Sequence, residues 1–218
     1  MFMSKSGKSF NENYRHECET ELVEIPSVGM NQLFDSSFSM NELAEVFDFY
    51  LVHTPVKRDE KAKDGNNRWL GDYGWKGGAE LSKLESSLLK TSGISSFVIL
   101  KSDCIDSTLA AMKLTGKICP SCPRAVFKLN CKINLKEDGG VNVTPSESRL
   151  ACVFRHIRNA MAHGQIYGLG NQMIYMFDKD DDGKNSAALV IKQKTLFDWI
   201  RVVDKNGAFY SDGANGRE

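Results

Sequence analysis

Hydrophobic side chains recur three to four residues apart in five segments of the chain, the spacing that places them on one face of an α-helix. The first segment begins at Ser39, where Glu42 three residues later completes a capping box, and it ends before Pro55. The other segments cover residues 79–89, 94–114, 149–163 and 194–203. Helices are therefore predicted over most of the folded part of the chain.

Two shorter segments have the composition of strands. "NQMIYMF" and "AALVIK" are rich in strand-forming residues and flank the polar stretch "DKDDDGKNS", which predicts a β-hairpin. Residues 124–136 alternate between apolar and polar as a strand does, yet they also suit a short helix. The predicted fold class is mainly α, with a small β-hairpin near the C-terminus.

The same patterning divides the chain into three parts. Residues 1–35 are polar and weakly periodic and predict a partly ordered arm, residues 36–205 form one helical domain, and residues 206–218 predict a frayed tail. Within the domain, residues 56–78 are rich in charge and glycine and predict a long loop. Its aromatic residues either anchor the loop to the core, the commoner role, or stack on nucleic-acid bases: Trp69, Tyr73 and Trp75.

The charge balance limits the kinds of partner. Lys plus Arg and Asp plus Glu both number 28, so the formal net charge is zero and any nucleic-acid binding has to come from a local patch. No apolar run reaches the roughly 20 residues that span a bilayer, and the first residues lack the hydrophobic region of a signal peptide. We therefore expect a cytoplasmic protein with no membrane partner.

The cysteines do not indicate a metal site. Six cysteines are too few for a disulfide scaffold in a chain of this length, and in a reducing cytosol we expect most of them to be thiols. Cys119 and Cys122 form a C-x-x-C pair in a proline-bounded turn, but Cys104 and Cys131 belong to no second tight pair. Neither a metal nor a cofactor is predicted.

The segment "CVFRHIRNAMAHGQIY", residues 152–167, concentrates basic residues on one predicted helix. Successive residues lie about 100° apart around a helix. One side is then an apolar stripe that faces the core, made of Leu150, Phe154, Ile157 and Met161. Gly164 is predicted to end the helix as its C′ residue, which places His163 in the last turn.

The opposite side of this helix is polar and basic, and it carries Arg155, His156, Asn159 and His163. Arg158 borders the apolar stripe, where its stem can lie on the core while its guanidinium reaches out. No acidic residue lies between Arg149 and Asp178, so this surface repels itself unless an anion binds to it. Arginine forks match phosphate oxygens and histidines transfer protons near neutral pH, so a phosphodiester is the predicted ligand.

The sequence "RNAMAH", with Arg158, Asn159 and His163, resembles the R-polar-x-x-x-H signature of the HEPN superfamily. The longer stretch "RHIRNAMAHG" is similar to its abortive-infection and toxin branches, in which a short hairpin and one more helix follow the motif helix. The resemblance implies an up-and-down helical bundle. It also implies a homodimer that sets two copies of the motif face to face across a cleft.

HEPN proteins of this type are metal-independent endoribonucleases, so the resemblance implies an RNA substrate and a role as a toxin or phage-defence effector. His163 is then the general acid or base, Arg158 holds the scissile phosphate, and Asn159 orients His163 or the phosphate. Arg155 and His156 are expected to support substrate binding. Cleavage through the 2′-hydroxyl leaves a 2′,3′-cyclic phosphate, and an antitoxin or other regulatory partner is compatible with such an activity.

The alternative is a non-catalytic module that binds RNA, nucleotide or a protein partner through the same basic cleft. The presence of all three motif residues favours the enzyme, because a pure binding module can lose the histidine.

Overall fold

The computed structural model describes residues 17, 18, 20–25, 38–56, 69–101, 104–135 and 139–210. The α-helices are α1 (Met40–Phe47), α2 (Gly78–Ser92), α3 (Ile105–Ala111), α4 (Arg149–Ala162) and α5 (Gln193–Val203). The strands are β1 (Val23–Glu24), β2 (Phe97–Leu100), β3 (Lys117–Ile118), β4 (Arg124–Lys128), β5 (Cys131–Leu135), β6 (Val141–Pro145), β7 (Ile166–Gly170), β8 (Met173–Lys179) and β9 (Asn185–Lys192). A π-helical turn, Asp48–Val52, follows α1 directly.

A five-stranded mixed sheet forms the centre of the protein, and the prediction of a mainly helical fold is therefore wrong. The strand order is β2-β4-β9-β8-β7, with β2 parallel to β4 and each other neighbouring pair antiparallel. The protein combines this sheet with helices on both of its faces. It is not the up-and-down bundle with one small hairpin that the HEPN resemblance implied.

The error lies in the segment 94–114, which helical spacing predicts as one long helix. Phe97–Leu100 instead forms β2, and only Ile105–Ala111 is helical. Phe97 packs into the core on one face of the sheet, and Val98 packs into the core on the other. A strand buried on both faces has an uninterrupted apolar sequence, which fits helical spacing equally well. Residues 124–136, whose sequence suits either a strand or a short helix, contain β4 and β5.

The central sheet separates two hydrophobic cores. In β4, Ala125 and Phe127 point into the larger core, and Val126 points into the smaller one. Helices α1, α2, α4 and α5 contribute to the larger core, while α3 and β3 contribute to the smaller. This layering fixes α4 against one face of the sheet, so residues of β4 and β8 lie beneath it.

Four predicted helices are confirmed. The Ser39 backbone N–H donates to Glu42 at 2.8 Å, and the Glu42 backbone N–H donates to the Ser39 hydroxyl at 3.2 Å, which completes the predicted capping box. Helices α2, α4 and α5 occupy the predicted segments and bury the apolar sides expected of them. The predicted hairpin is also present, as β8 and β9.

Another hairpin, β5–β6, leads into α4 and was not predicted. Its register sets Ile133 opposite Val143 and Leu135 opposite Val141. All four side chains are exposed, with Leu135 the most exposed at 80%. The last residue of β6 is followed closely by Ser148, which begins α4.

A disulfide joins Cys18 to Cys119, an exception to the expectation of thiols. It connects the segment before β1 to the turn after β3, and these two strands pair in a small antiparallel sheet. The remaining cysteines are thiols, in agreement with the prediction for most of the six: Cys104, Cys122, Cys131 and Cys152.

The chain termini are only partly described. Residues 1–16, 19 and 26–35 of the predicted arm and residues 211–218 of the predicted tail lie outside the described residues, as do residues 57–68 of the predicted loop. Residues 206–210 pack against the domain, because the Tyr210 hydroxyl donates to Asp48 at 2.8 Å and the Asp204 carboxylate accepts the Tyr210 backbone N–H at 2.6 Å. Within the described ranges, no helix is both long and apolar enough to cross a membrane.

Replacing Cys18 by serine is expected to lower the free energy of unfolding, because the bond links cysteines 101 residues apart and restricts the unfolded chain. For a loop of this length the chain-entropy model gives about 4.7 kcal/mol. Urea unfolding measures the difference. Wild-type protein in a reducing agent is the matched control and should unfold at the same urea concentration as Cys18→Ser. If Cys18→Ser were as stable as the oxidised wild type, the disulfide would not stabilise the fold.

Candidate active site at the end of helix α4

Helix α4 begins and ends where the sequence predicts. The Ser148 hydroxyl accepts a hydrogen bond from the Ala151 backbone N–H at 3.2 Å, so Ser148 is the N-cap. His163 is the C-cap, and Gly164 follows it with a φ of 65°, a conformation that glycine adopts without strain. The apolar stripe is buried as predicted. The polar residues of the helix are therefore held in fixed directions relative to the sheet.

Arg155 is not an uncompensated cation, because Glu147 binds it through both carboxylate oxygens. The Nε and Nη2 atoms of Arg155 donate to this carboxylate at 2.9 and 2.7 Å. Glu147 also accepts the Asn130 backbone N–H at 2.9 Å. Burial alone raises the pKa of Glu147, but the hydrogen bonds from Arg155 and Asn130 outweigh it and hold the pKa below its usual value. The Arg155 guanidinium is thus already bound by a carboxylate of the same chain.

His156 is 1% exposed, so its predicted place on the solvent face is wrong. Its Nδ1 donates to Oδ2 of Asp178 at 2.7 Å. Its Nε2 lies 2.8 Å from the backbone oxygen of Lys128 and 3.0 Å from Nη2 of Arg155. The ring also stacks on Phe127, with 5.9 Å between the ring centroids. The imidazole therefore connects α4 to β4 and β8 and has no edge open to a substrate.

Asn159 shares the carboxylate that binds His156. Its Nδ2 donates to Oδ2 of Asp178 at 3.1 Å, and the side chain is half-buried. Its Oδ1 has no hydrogen-bond partner in the part of the chain that the structure describes. Asp178 thus fixes the Asn159 amide and leaves one of its atoms available.

Arg158 and His163 are exposed. Neither side chain forms a hydrogen bond or ion pair with any described residue. Asn159 and His163 lie four residues apart on the same helix face, and the His163 backbone N–H donates to the Asn159 carbonyl at 2.9 Å. The three motif residues, Arg158, Asn159 and His163, span five residue steps, an axial rise of about 7.5 Å. All three lie in the C-terminal half of α4 or at its end, whereas Arg155 is half-buried and His156 is buried.

The sequence reasoning missed both acids of this site. Glu147 and Asp178 lie just outside the stretch without acidic residues, and neighbouring elements bring them against α4. Asp178 gave a signal in the sequence, because it is the one acid inside an apolar strand, and a buried carboxylate requires a hydrogen-bonded partner. Glu147 precedes the N-cap by one residue and resembles an ordinary helix-start acid.

Other chemistry on the helix is restricted by burial. Burial raises the pKa of Cys152 to about 12, so its thiol is protonated at neutral pH and is a poor nucleophile. Across the described ranges, no group of three or more His, Cys, Asp or Glu residues is placed to hold a metal ion. The motif residues are therefore the strongest candidates for chemistry on α4.

No protein family, curated protein or solved structure matches this chain. The resemblance to the HEPN superfamily rests on the motif residues alone, and the bundle that it implied is contradicted by the central sheet. Any role for these residues has to be argued from their positions in this fold.

Replacing His156 by alanine is expected to lower the free energy of unfolding by about 3 kcal/mol, because it leaves a buried carboxylate with too few partners. Asp178 is 2% exposed and would keep only the hydrogen bond from Asn159 among the described residues. Chemical denaturation tests this, with His163→Ala as the control. That variant should change stability by less than about 0.5 kcal/mol because its side chain is exposed. Equal stability of the two variants would contradict a structural role for His156.

Proposed function

We propose that the protein is a metal-independent endoribonuclease whose active site lies at the C-terminal end of α4. One observation carries the proposal: the selective pairing of basic side chains on this helix. Arg149, Arg155 and His156 are bound to Glu85, Glu147 and Asp178. Arg158 and His163 alone among the basic residues at positions 149–163 are exposed without a partner in the described part of the chain. This arrangement leaves an arginine and a histidine exposed in the C-terminal half of α4 and available to an anionic ligand.

The two open side chains have the chemistry that RNA cleavage needs. The Arg158 guanidinium can donate two parallel hydrogen bonds to a phosphate and offset the negative charge that develops on it. His163 acts as the general base that removes the 2′-hydroxyl proton. The 2′-oxygen then bonds to phosphorus as the bond from phosphorus to the 5′-oxygen breaks. The products are a 2′,3′-cyclic phosphate and a 5′-hydroxyl.

Asn159 has a positioning role in this proposal. Asp178 holds its amide group, so the free Oδ1 has a defined direction at the helix end. Because Asp178 is itself bound to His156, this direction is set by the buried part of the site and does not depend on solvent. A pre-oriented amide costs little entropy when it binds His163 or the substrate.

The reaction requires two proton transfers, one from the 2′-hydroxyl and one to the leaving 5′-oxygen. One copy of the chain provides one exposed motif histidine. We therefore include a homodimer in the proposal, with two motifs facing each other across a cleft so that the second His163 protonates the leaving oxygen. DNA lacks the 2′-hydroxyl and is expected to resist cleavage.

Purified wild-type protein is expected to cleave RNA in the presence of EDTA. His163→Ala should lower the rate by about a hundredfold to ten-thousandfold, the usual effect of a positioned acid or base. Arg158→Ala should lower it by about a hundredfold to a thousandfold through the loss of transition-state stabilisation. The rate and the product ends are measured on a labelled single-stranded RNA.

Arg149→Ala is the matched control for Arg158→Ala. Arg149 is an exposed arginine on the same helix, but it pairs with Glu85 at 2.8 Å and lies at the opposite end. Its removal should leave the cleavage rate unchanged. A His163→Ala variant that cuts as fast as wild type, or an activity that needs a divalent metal, would contradict the mechanism. RNA binding without any cleavage would instead identify a binding module.

Light scattering is expected to show a dimer at the concentrations at which cleavage is observed. Activity per chain should fall on dilution through the dimer dissociation constant, because each site needs both copies. A monomer with full activity at every concentration would contradict an active site built from two copies. The proposed roles of Arg158, Asn159 and His163 within one copy would still stand.

A further inference from the structure

A cavity of about 440 Å³ lies at the opposite end of α4 from the motif residues. Its volume falls in the range of small-molecule sites. The walls come from the turn at residues 69–75, from α2 and from the start of α4. The lining includes two tryptophans, two leucines, two prolines and a polar edge formed by residues 146–148.

The two tryptophans of the cavity differ in how firmly they are held. Trp75 is 7% exposed, and its Nε1 donates to the Val203 backbone oxygen at 2.7 Å. Trp69 is 49% exposed, although its backbone N–H is fixed by Asp72 at 2.6 Å. Trp75 therefore belongs to a rigid wall, whereas the Trp69 side chain lines the cavity and keeps about half of its surface exposed. An exposed indole on a fixed backbone is the arrangement on which nucleic-acid bases stack.

The polar edge of the cavity contains a carboxylate, which repels a phosphate and can accept a hydrogen bond from a ligand. Glu147 is the one charged residue in the lining. Its Oε1 accepts from Arg155 and Asn130, and its Oε2 accepts the Arg155 Nε–H. A carboxylate oxygen can accept more than one hydrogen bond, so Oε2 has capacity for a further donor. A neutral planar ring with an amino group matches this edge.

We propose that the cavity binds one base of a single-stranded RNA, stacked on Trp69, with its exocyclic amino group donating to Glu147. This inference rests on the proposed function for the identity of RNA as the ligand. The amino group makes cytosine a better occupant than uracil, because carboxylates accept from the cytosine N4 amino group and uracil carries a carbonyl there. Helix α4 has 14 residues, so the cavity lies about 20 Å from His163, the length of about six stacked nucleotides.

Binding is measured with ten-nucleotide oligomers that carry a 2′-O-methyl group on every ribose, which blocks cleavage through the 2′-oxygen. Fluorescence anisotropy gives the dissociation constants for oligocytidine and oligouridine, which differ in the amino group. Trp69→Ala should weaken oligocytidine binding by roughly five- to hundredfold, the usual effect of losing one stacked base. Oligocytidine should bind wild-type protein at least about fivefold more tightly than oligouridine does.

Two variants serve as controls for the loss in Trp69→Ala. Trp69→Phe keeps an aromatic face and should retain most of the affinity. Leu135→Ala removes another exposed apolar side chain, from the β5–β6 hairpin outside the cavity lining, and should bind as wild type does. Circular dichroism of each variant checks that the fold is intact.

Equal affinity of wild type and Trp69→Ala would overturn the cavity as a base site, even if the protein cleaves RNA. Equal affinity for the two oligomers would overturn the role of Glu147. If free cytidine binds as tightly as the oligomer, the occupant is a nucleoside and the link to a strand is overturned. Conversely, Trp69-dependent binding by a protein that never cleaves RNA would support the base site and reject the nuclease.

Discussion

The buried contact between His156 and Asp178 is the constraint on which the rest of the site depends. It joins the middle of α4 to β8, while the second nitrogen of the same imidazole meets the backbone of β4. Both groups are nearly inaccessible to water, and a buried polar group of this kind is costly unless it is bonded. The rotation of α4 about its own axis is therefore fixed by hydrogen bonds as well as by its apolar stripe.

This fixed rotation determines which polar residues of α4 face solvent. With His156 turned inward, Arg155 meets Glu147, and Arg158 and His163 remain exposed to solvent. The two ends of the helix then differ in character. The C-terminal half carries Arg158 and His163, and the N-terminal end closes a cavity with aromatic walls and a carboxylate edge. Under the proposed function, a single RNA strand laid along the helix meets both ends.

The sequence predicted local features well and long-range ones poorly. The capping box at Ser39, the bounds of α4 and the β8–β9 hairpin follow from neighbouring residues, and each is present. The sequence pattern predicts a helix where β2 lies, because "FVIL" is buried on both faces of the sheet and its apolar residues do not alternate with polar ones. For the site, Arg158 and His163 are exposed as predicted, whereas His156 is buried. The acids that neutralise Arg155 and His156 come from other elements, eight and 22 residues away, so the helical wheel did not contain them.

The disulfide between Cys18 and Cys119 determines the outcome of proteolysis between these residues. It encloses every described element from β1 to β3 in one covalent ring. A protease that severs a single peptide bond inside the ring opens it but releases no fragment, because both pieces stay attached through sulfur. A single break within almost half of the sequence thus adds only one water to the mass of the molecule, and electrophoresis without a reductant does not separate the pieces. A chain nicked there can keep its helices and strands packed as one molecule.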